Sequence, residues 1–579
     1  MHLIISGSIF KNLSIYVNSL TLDSNLRRKI TVVVLAALAV LISCAIHRFL
    51  KCYRSEERLV NLLPIKKVEE LGRELNDIVV KKLDSPNEER LNPGWINDHP
   101  TTSLCDLGLD NFEKLIDFVR KYGPQLTSLN LKLLDIKDKE FQQLVYYTSN
   151  IHCLSISCLN MTDSALKHLQ DLPLTSVEFS NCKELTDNAL RHLKGLSLTS
   201  VNFSRCDKIT DDALRYLKGM PLTSVHFSWC KQLTDNALSH LQGMLLTSVD
   251  FSLCTELTDK ALSHLEGMPL TSVNFSSCQK LTDKALSHLE GIPLTSVNFC
   301  CCYKLTDKAL SYLQGMPLIT VNISCCDKLT NDALRYLQGK LLTSVDFSCC
   351  YDLTDEALSY LQGMPLTSID FCCCNYLTDE ALSHLQGMPL TSVNFSRCQN
   401  LTNDAFKHLE GMPLTAVNFS SCKKLTDDAL RHLKGMRLKD INLSMCRLTN
   451  DALSYLQGMP LTSVNFSCCY NLTDEALRHL EGMPLTSVNF SYCDKLTDEA
   501  LSHLQGMPLT SVNFSSCNKL TDRALGYLKG MLLRSVCFSS CKELTDEALN
   551  HLEGMLLTNV DFHYCLKITN FSSKFLKLQ

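Results

Sequence analysis

One phrase recurs through most of this chain. Residues 270–293 read LTSVNFSSCQKLTDKALSHLEGIP, and the next 24 residues restate it with few changes. The cysteine ahead of the LTD triplet falls every 24 residues from Cys158 to Cys446. One residue is then missing between Cys446 and Leu448, and the series resumes from Cys469 to Cys565. That makes eighteen units, with a degenerate one, LTSLNLKLLDIKD, ahead of them at Leu126. A period of this length signals a solenoid, because one unit cannot bury its apolar face alone and must stack on its neighbours. The 579 residues are therefore not to be divided into globular domains by length.

Within the quoted unit, Leu270, Val273 and Phe275 give an L-x-x-L-x-L pattern whose last part alternates as a short strand does. Cys278 and Leu281 continue the apolar set. Thr282 and Asp283 suit the start of a short helix, through capping and through charge at its positive end. Ala285, Leu286 and Leu289 recur at helical spacing, and Gly291 and Pro293 stop the helix. Each unit is one coil of strand, turn, helix and turn.

These units resemble cysteine-containing leucine-rich repeats, the type found in the substrate-binding half of F-box proteins, with similar short repeats in bacterial proteins. The resemblance covers residues 126 to 565 or so. It implies an α/β solenoid, a leucine-rich-repeat horseshoe of about 18–19 units with parallel strands on its concave side, used to bind other proteins. It also implies an alternative role, a substrate receptor of a ubiquitin ligase with a Skp-type adaptor. The near-identity of the repeats, which suggests recent duplication, leaves a second alternative, a host-directed effector of an intracellular bacterium. The F-box expected ahead of such repeats is not visible: LLPIKKVEELGRELNDIVVKKL offers Leu63-Pro64 and helical spacing only. By the same resemblance, the recurring cysteine replaces the asparagine of the more common repeat.

A thiol in that place behaves as a small buried apolar group with a weak donor. Serine at Cys278 would cost about 1–3 kcal/mol if the site has no free acceptor. A metal column or disulfide ladder is disfavoured, since every unit carries the cysteine whether or not a second ligand is near. Eleven of the seventeen histidines, among them His168, His192, His264, His288 and His503, share one slot before the last leucine of the helix. Other units put Tyr216, Tyr312, Tyr336, Tyr360, Tyr455 or Tyr527 there, so the slot requires a ring and not a metal ligand. No H-E-x-x-H, P-loop or G-x-S-x-G motif is present. The chain reads as a non-enzyme with no catalytic residues, no metal and no cofactor.

If shared positions build the scaffold, unshared ones carry the function. Variation concentrates just before the cysteine and at the two residues after it. There the candidates for protein binding are Arg205, Trp229, Tyr303, Tyr351, Tyr376, Arg397, Tyr470, Tyr492 and Tyr564, residue types that anchor interfaces. The outward slot in mid-strand is mostly Asn, with Glu178, Asp250, Asp346, Asp370 and Asp561 as carboxylates and His226 as an exception. With a formal net charge of −5, this mildly acidic floor argues against nucleic acid as partner. Four successive units add a second cysteine, at Cys301, Cys325, Cys349 and Cys373, extended by Cys300 and Cys372. Their register places them on the surface, beside buried Cys302, Cys326, Cys350 and Cys374. Cysteine reads there as a tolerated small residue, with lateral disulfides and soft-metal binding as the alternatives.

The N-terminus is different text. ITVVVLAALAVLISCAI, residues 30–46, lacks any charge and has basic edges at Arg27, Arg28, Lys29, Arg48 and Lys51. It reads as a single membrane span. Basic residues weigh slightly toward a cytosolic C-terminal part, as do so many thiols and the NFS triplets at Asn202, Asn274 and elsewhere, which sugars would block in a lumen. The expected organisation is an N-terminal tail (1–29), a transmembrane helix (30–50), a charged helical segment and linker (51–102), an N-terminal cap (103–125) and the repeat domain (126–579). The resulting expectation is a membrane-anchored, cytosol-facing repeat protein that binds a protein partner.

Overall fold

The computed structural model describes residues 93–569, apart from 100, 101, 105–107, 110 and 133. The apolar run at 30–50, most of the 51–102 segment and the last ten residues lie outside the described residues. Among the described residues no helix is long and apolar enough to cross a membrane.

The described part is a solenoid with one parallel sheet of 19 strands. Helix α1 (Pro93–Asp98) and helix α2 (Phe112–Tyr122) precede the first strand, β1 (Ser128–Lys132). Helix α2 lies in the segment 103–125 and packs an apolar face inward. Asn111 starts it by accepting from the Lys114 N–H, and Leu115, Ile116, Phe118 and Val119 face the core. Helix α1 falls where the prolines suggested only a linker. Its Asn97 accepts from the Thr127 N–H (2.7 Å) and donates to the Gln125 carbonyl (2.9 Å), tying the segment to the first coil.

From β2 (Cys153–Ser157) and β3 (Ser176–Phe179) onward the strands shorten to three residues, ending with Asn559–Asp561. Neighbours pair in strict register, Val273 with Val297 and Asn274 with Asn298 for example. The 23-residue unit keeps this register too, since Ile441 pairs with both Val417 and Val464. Its missing residue is absorbed in the turn after Cys446, and Thr449 still reaches Asp427 one coil back.

The core is continuous because equivalent side chains stack from coil to coil. Phe203, Phe227, Phe251, Phe275 and Phe299 are fully buried and form one run of a phenylalanine spine. Ile323 and Leu443 interrupt it. Stacked rings lie 5.7–6.1 Å apart with planes inclined by 11–24°. Strands stand only about 4.8 Å apart. Equivalent points therefore spread as the chain passes from strand to core, so successive coils rotate and the strand side is the inner side of the curve.

Each coil is also fastened to the next by its LTD triplet. Asp283 accepts from both the N–H and the hydroxyl of Thr306, at 2.7 Å each, and Asp259 does the same for Thr282. The aspartate thus serves the neighbouring coil as well as its own helix start. Asn331, Asn403 and Asn450 keep the arrangement with one bond reversed: the amide NH2 donates to the next threonine's hydroxyl. In those three cases the threonine does not cap its own helix.

The recurring thiols are buried as expected, and each has an acceptor. Cys278 Sγ donates to the Phe251 carbonyl one coil back (3.2 Å), and the contact repeats along the stack. The proviso attached to a Cys278→Ser penalty therefore fails, because a hydroxyl would find the same carbonyl. Burial pushes the Cys182, Cys230, Cys278, Cys350, Cys446, Cys493 and Cys541 thiols up to about 12.

Two predictions follow from these contacts. Asp283→Ala removes two charge-assisted bonds to Thr306 and should lower stability by about 2 kcal/mol. Asp283→Asn should recover much of this, as Asn331 does natively, and denaturant titration with amide exchange at Thr306 measures both. Second, thiols whose folded value exceeds the unfolded one give stability that is intact below the unfolded value, about 8.5, and lost as pH rises toward the folded value. Resistance to urea should fall steeply from about pH 8 to about pH 10, by up to about 1.4 kcal/mol per pH unit per thiol. Thiolate absorbance from the buried set should appear only on unfolding; its rise in the folded protein would show these thiols to be accessible.

Candidate functional site

The turn that leaves each strand has an unusual backbone. In seventeen units the residue before the recurring cysteine has φ of 55–63°, and none of the seventeen is glycine. The slot holds Asn, Arg, Trp, Leu, Ser, Cys, Met and Tyr, and never Val, Ile or Thr. Left-handed backbone is disfavoured for any L-residue and is worst for β-branched ones. This accounts for what the slot excludes, and the free choice among unbranched residues accounts for its variability. The conformation is held from outside: the slot's N–H donates to a carbonyl in the next coil, from Arg205 to Ser228 (2.7 Å), Trp229 to Ser252 (2.8 Å) and Ser277 to Cys300 (2.7 Å). These bonds continue the sheet ladder beyond the strand ends and over-determine the strained torsion.

The mid-strand asparagines stabilise the same turn. Asn274 Oδ1 accepts from the Ser276 N–H (3.1 Å), and Asp250 Oδ1 does so for Ser252 (2.9 Å). Either residue type supplies that oxygen, which is why Asn and Asp interchange. Where they alternate, the amide bonds the carboxylate across coils, as in Asn274 to Asp250 (3.0 Å), Asn322 to Asp346 (2.9 Å) and Asn394 to Asp370 (2.7 Å). Burial pushes the Asp370 carboxyl above its ordinary value, against the bonds from Cys372 N–H and the Asn394 amide, and the Asp346 charge adds to the rise. The floor is first a structural ladder.

The residues after the cysteine divide. At the second position, Lys208–Glu184, Lys280–Glu256 and Lys567–Glu543 are exposed ion pairs between adjacent coils (2.5–2.6 Å), a minor contribution to stability. The first position carries Tyr303, Tyr351 and Tyr470, which stand 41%, 44% and 57% exposed.

All nine candidate binding residues lie exposed at this edge of the sheet. The structure gathers most of them by proximity of coils. Arg205 places its guanidinium 5.1 Å from the centre of the Trp229 ring, and Lys231 places its ammonium 5.5 Å from it. Tyr303 and Tyr351 stand two coils apart, Tyr376 and Arg397 in the two coils after Tyr351. Tyr470 and Tyr492 occupy adjacent coils, and Tyr564 stands in the last one. The ring slot on the helix side is separate. His288 and His503 bond Glu266 and Glu481 of the preceding coil (2.5 and 2.6 Å), and His432 bonds Glu410. The tyrosines of that slot pack half-buried on the core.

Within the column of second cysteines, the structure draws three thiols into one cluster. Cys300, Cys301 and Cys325 bring their Sγ atoms within 4.8 Å of one another. Lys231, beside Trp229, was missed, because lysine is common at this slot and its stacking depends on the neighbouring turn.

No family model matches the sequence, and no curated protein matches it. Solved structures do, among them leucine-rich-repeat chains. The chain is similar to one in the Rad7–Elc1 complex of yeast, at 18% identity and a TM-score of 0.41, over 64% of this chain and 96% of that one. It is similar to one in the TLR13–ssRNA13 complex (18%, 0.42), covering 76% of this chain and 63% of the other. For the Drosophila Toll–Spätzle complex the values are 15% and 0.34, with 71% and 54% covered. At these values nothing about partners passes to this chain.

The turn geometry gives a direct prediction. Ser277→Val should destabilise the protein by about 1–2 kcal/mol, whereas Ser277→Asn should be neutral or slightly stabilising, since asparagine tolerates this backbone region. Thermal melting of the two variants checks it, and equal melting would mean that the turn relaxes out of the left-handed region.

Proposed function

We propose that this chain is a leucine-rich-repeat protein of the cysteine-containing type that binds a protein partner through the inner edge of its sheet. We further propose that the apolar run at 30–50 anchors it in a membrane with the repeats toward the cytosol. The observation that carries the binding reading is the Arg205–Trp229–Lys231 stack. A tryptophan that remains 38% exposed between two cations has its ring pre-oriented, and little rotamer entropy remains to be lost on contact. Tryptophan, tyrosine and arginine are the residues on which interface energy concentrates.

A second feature supports the reading. The exposed aromatics are carried on turns that the inter-coil ladder makes rigid, so a partner meets a preformed surface. The net charge of −5 favours a protein over nucleic acid as the occupant. No residue role in catalysis is part of this proposal.

The test is capture of partners by the full chain compared with the Arg205→Ala/Trp229→Ala double variant. The double variant should melt with the parent, because both side chains are exposed, and should lose at least about 2 kcal/mol of affinity for the partner. Unchanged affinity would move the interface to the tyrosine-bearing middle coils, where Tyr303→Ala/Tyr351→Ala is the corresponding pair.

A further inference from the structure

We propose that Cys300, Cys301 and Cys325 form a three-thiolate site for the soft monovalent ion Cu(I). The three thiols are half-buried at the end of two successive strands. Cys300 and Cys301 Sγ stand 3.3 Å apart, and all three sulfurs lie within 4.8 Å of one another. Sulfurs sharing one ion in a trigonal plane at about 2.3 Å stand about 4 Å apart, so side-chain rotation of less than about one ångström closes the set.

The backbone beneath these thiols is fixed in advance. Cys301 and Cys325 occupy left-handed slots, φ 58° and 55°, held by ladder bonds to the Ser324 and Ser348 carbonyls at 2.8 and 2.7 Å. Cys300 is pinned by its N–H to Asn298 Oδ1 at 3.0 Å. Cys302 and Cys326 take no part, since both face the core and bond the Phe275 and Phe299 carbonyls.

The donor set selects the ion. Sulfur alone favours Cu(I), zinc or iron–sulfur clusters over hard cations. A structural zinc site takes four ligands, and among the described residues no fourth Cys, His, Asp or Glu joins these three. Three thiolates satisfy Cu(I). Binding replaces three S–H protons, which pass to solvent, and forms three Cu–S bonds; the copper stays monovalent and no electron is transferred. Cys372 and Cys373 repeat the adjacent pair, 3.4 Å apart, but the next coil offers Arg397 at the slot where Cys325 follows Cys301. That pair is an internal comparison.

The experiment is an anaerobic titration of the reduced full chain with Cu(I) against a chromophoric Cu(I) chelator. The parent should withdraw one equivalent more than Cys300→Ser or Cys325→Ser, with thiolate-to-copper charge-transfer absorption lost in both variants. Cys372→Ser should match the parent, and unchanged melting of each variant shows that its coils are intact. Equal uptake by the parent, Cys300→Ser and Cys325→Ser overturns the site, as does an equal loss in Cys372→Ser. Retention of Zn(II) but not Cu(I) against matched chelators overturns the assignment of the ion.

Discussion

The strands, and the polar side chains that start the helices, find their partners one coil away. A strand of three residues has no partner strand within its own coil, so its backbone hydrogen bonds go to the neighbours, while the turns and the short helix bond within the coil. Threonine before the strand bonds a threonine carbonyl in the preceding coil, as Thr271 does with Thr247 at 2.8 Å. The slot before the cysteine bonds forward, and the LTD aspartate grips the next threonine. All three rows need the same translation between coils. The 24-residue period supplies it, and the 23-residue unit is tolerated because its deletion falls in a turn outside these rows.

That constraint explains how one structure carries both uniform and variable positions. Phe275, Leu281 and Leu286 are fully enclosed, and changing their volume would be felt in three coils at once. The turn slot is fixed in torsion but open in side chain. It therefore accepts Trp229, Arg205 or Cys301 on the same backbone, and places them in a column with the spacing of the strands. A surface of this kind varies by side chain without moving its frame, as an interface on a rigid scaffold should.

Adjacent cysteines in the sequence thus have opposite chemistry. Cys302 lies in the core with its sulfur on a carbonyl, and burial holds its thiol well above the ordinary range. Cys301, one residue earlier, points to the rim beside Cys300 and Cys325. The left-handed torsion between strand and core separates the two environments.

The sequence by itself determined the solenoid, because a period of 24 with one apolar set per unit has no other way to bury Leu270, Val273 and Phe275. It also determined the strand, the helix start at Thr282 and the burial of the recurring cysteine, all of which depend on local spacing. The ring slot was legible since His288 and Tyr312 share it, and the exposed edge was legible from its variation. A run of prolines concealed helix α1, whose Asn97 is held by a coil some thirty residues on. What only the tertiary structure decided is which coil each polar group addresses. A repeat shows Asp283 next to Thr282 and equally 23 residues from Thr306, and every copy looks alike. The distances between stacked coils alone give Asp283 to Thr306, put an acceptor before Cys278, set Arg205 over Trp229, and bring Cys300, Cys301 and Cys325 together, because these contacts depend on a translation in space that a linear pattern does not contain.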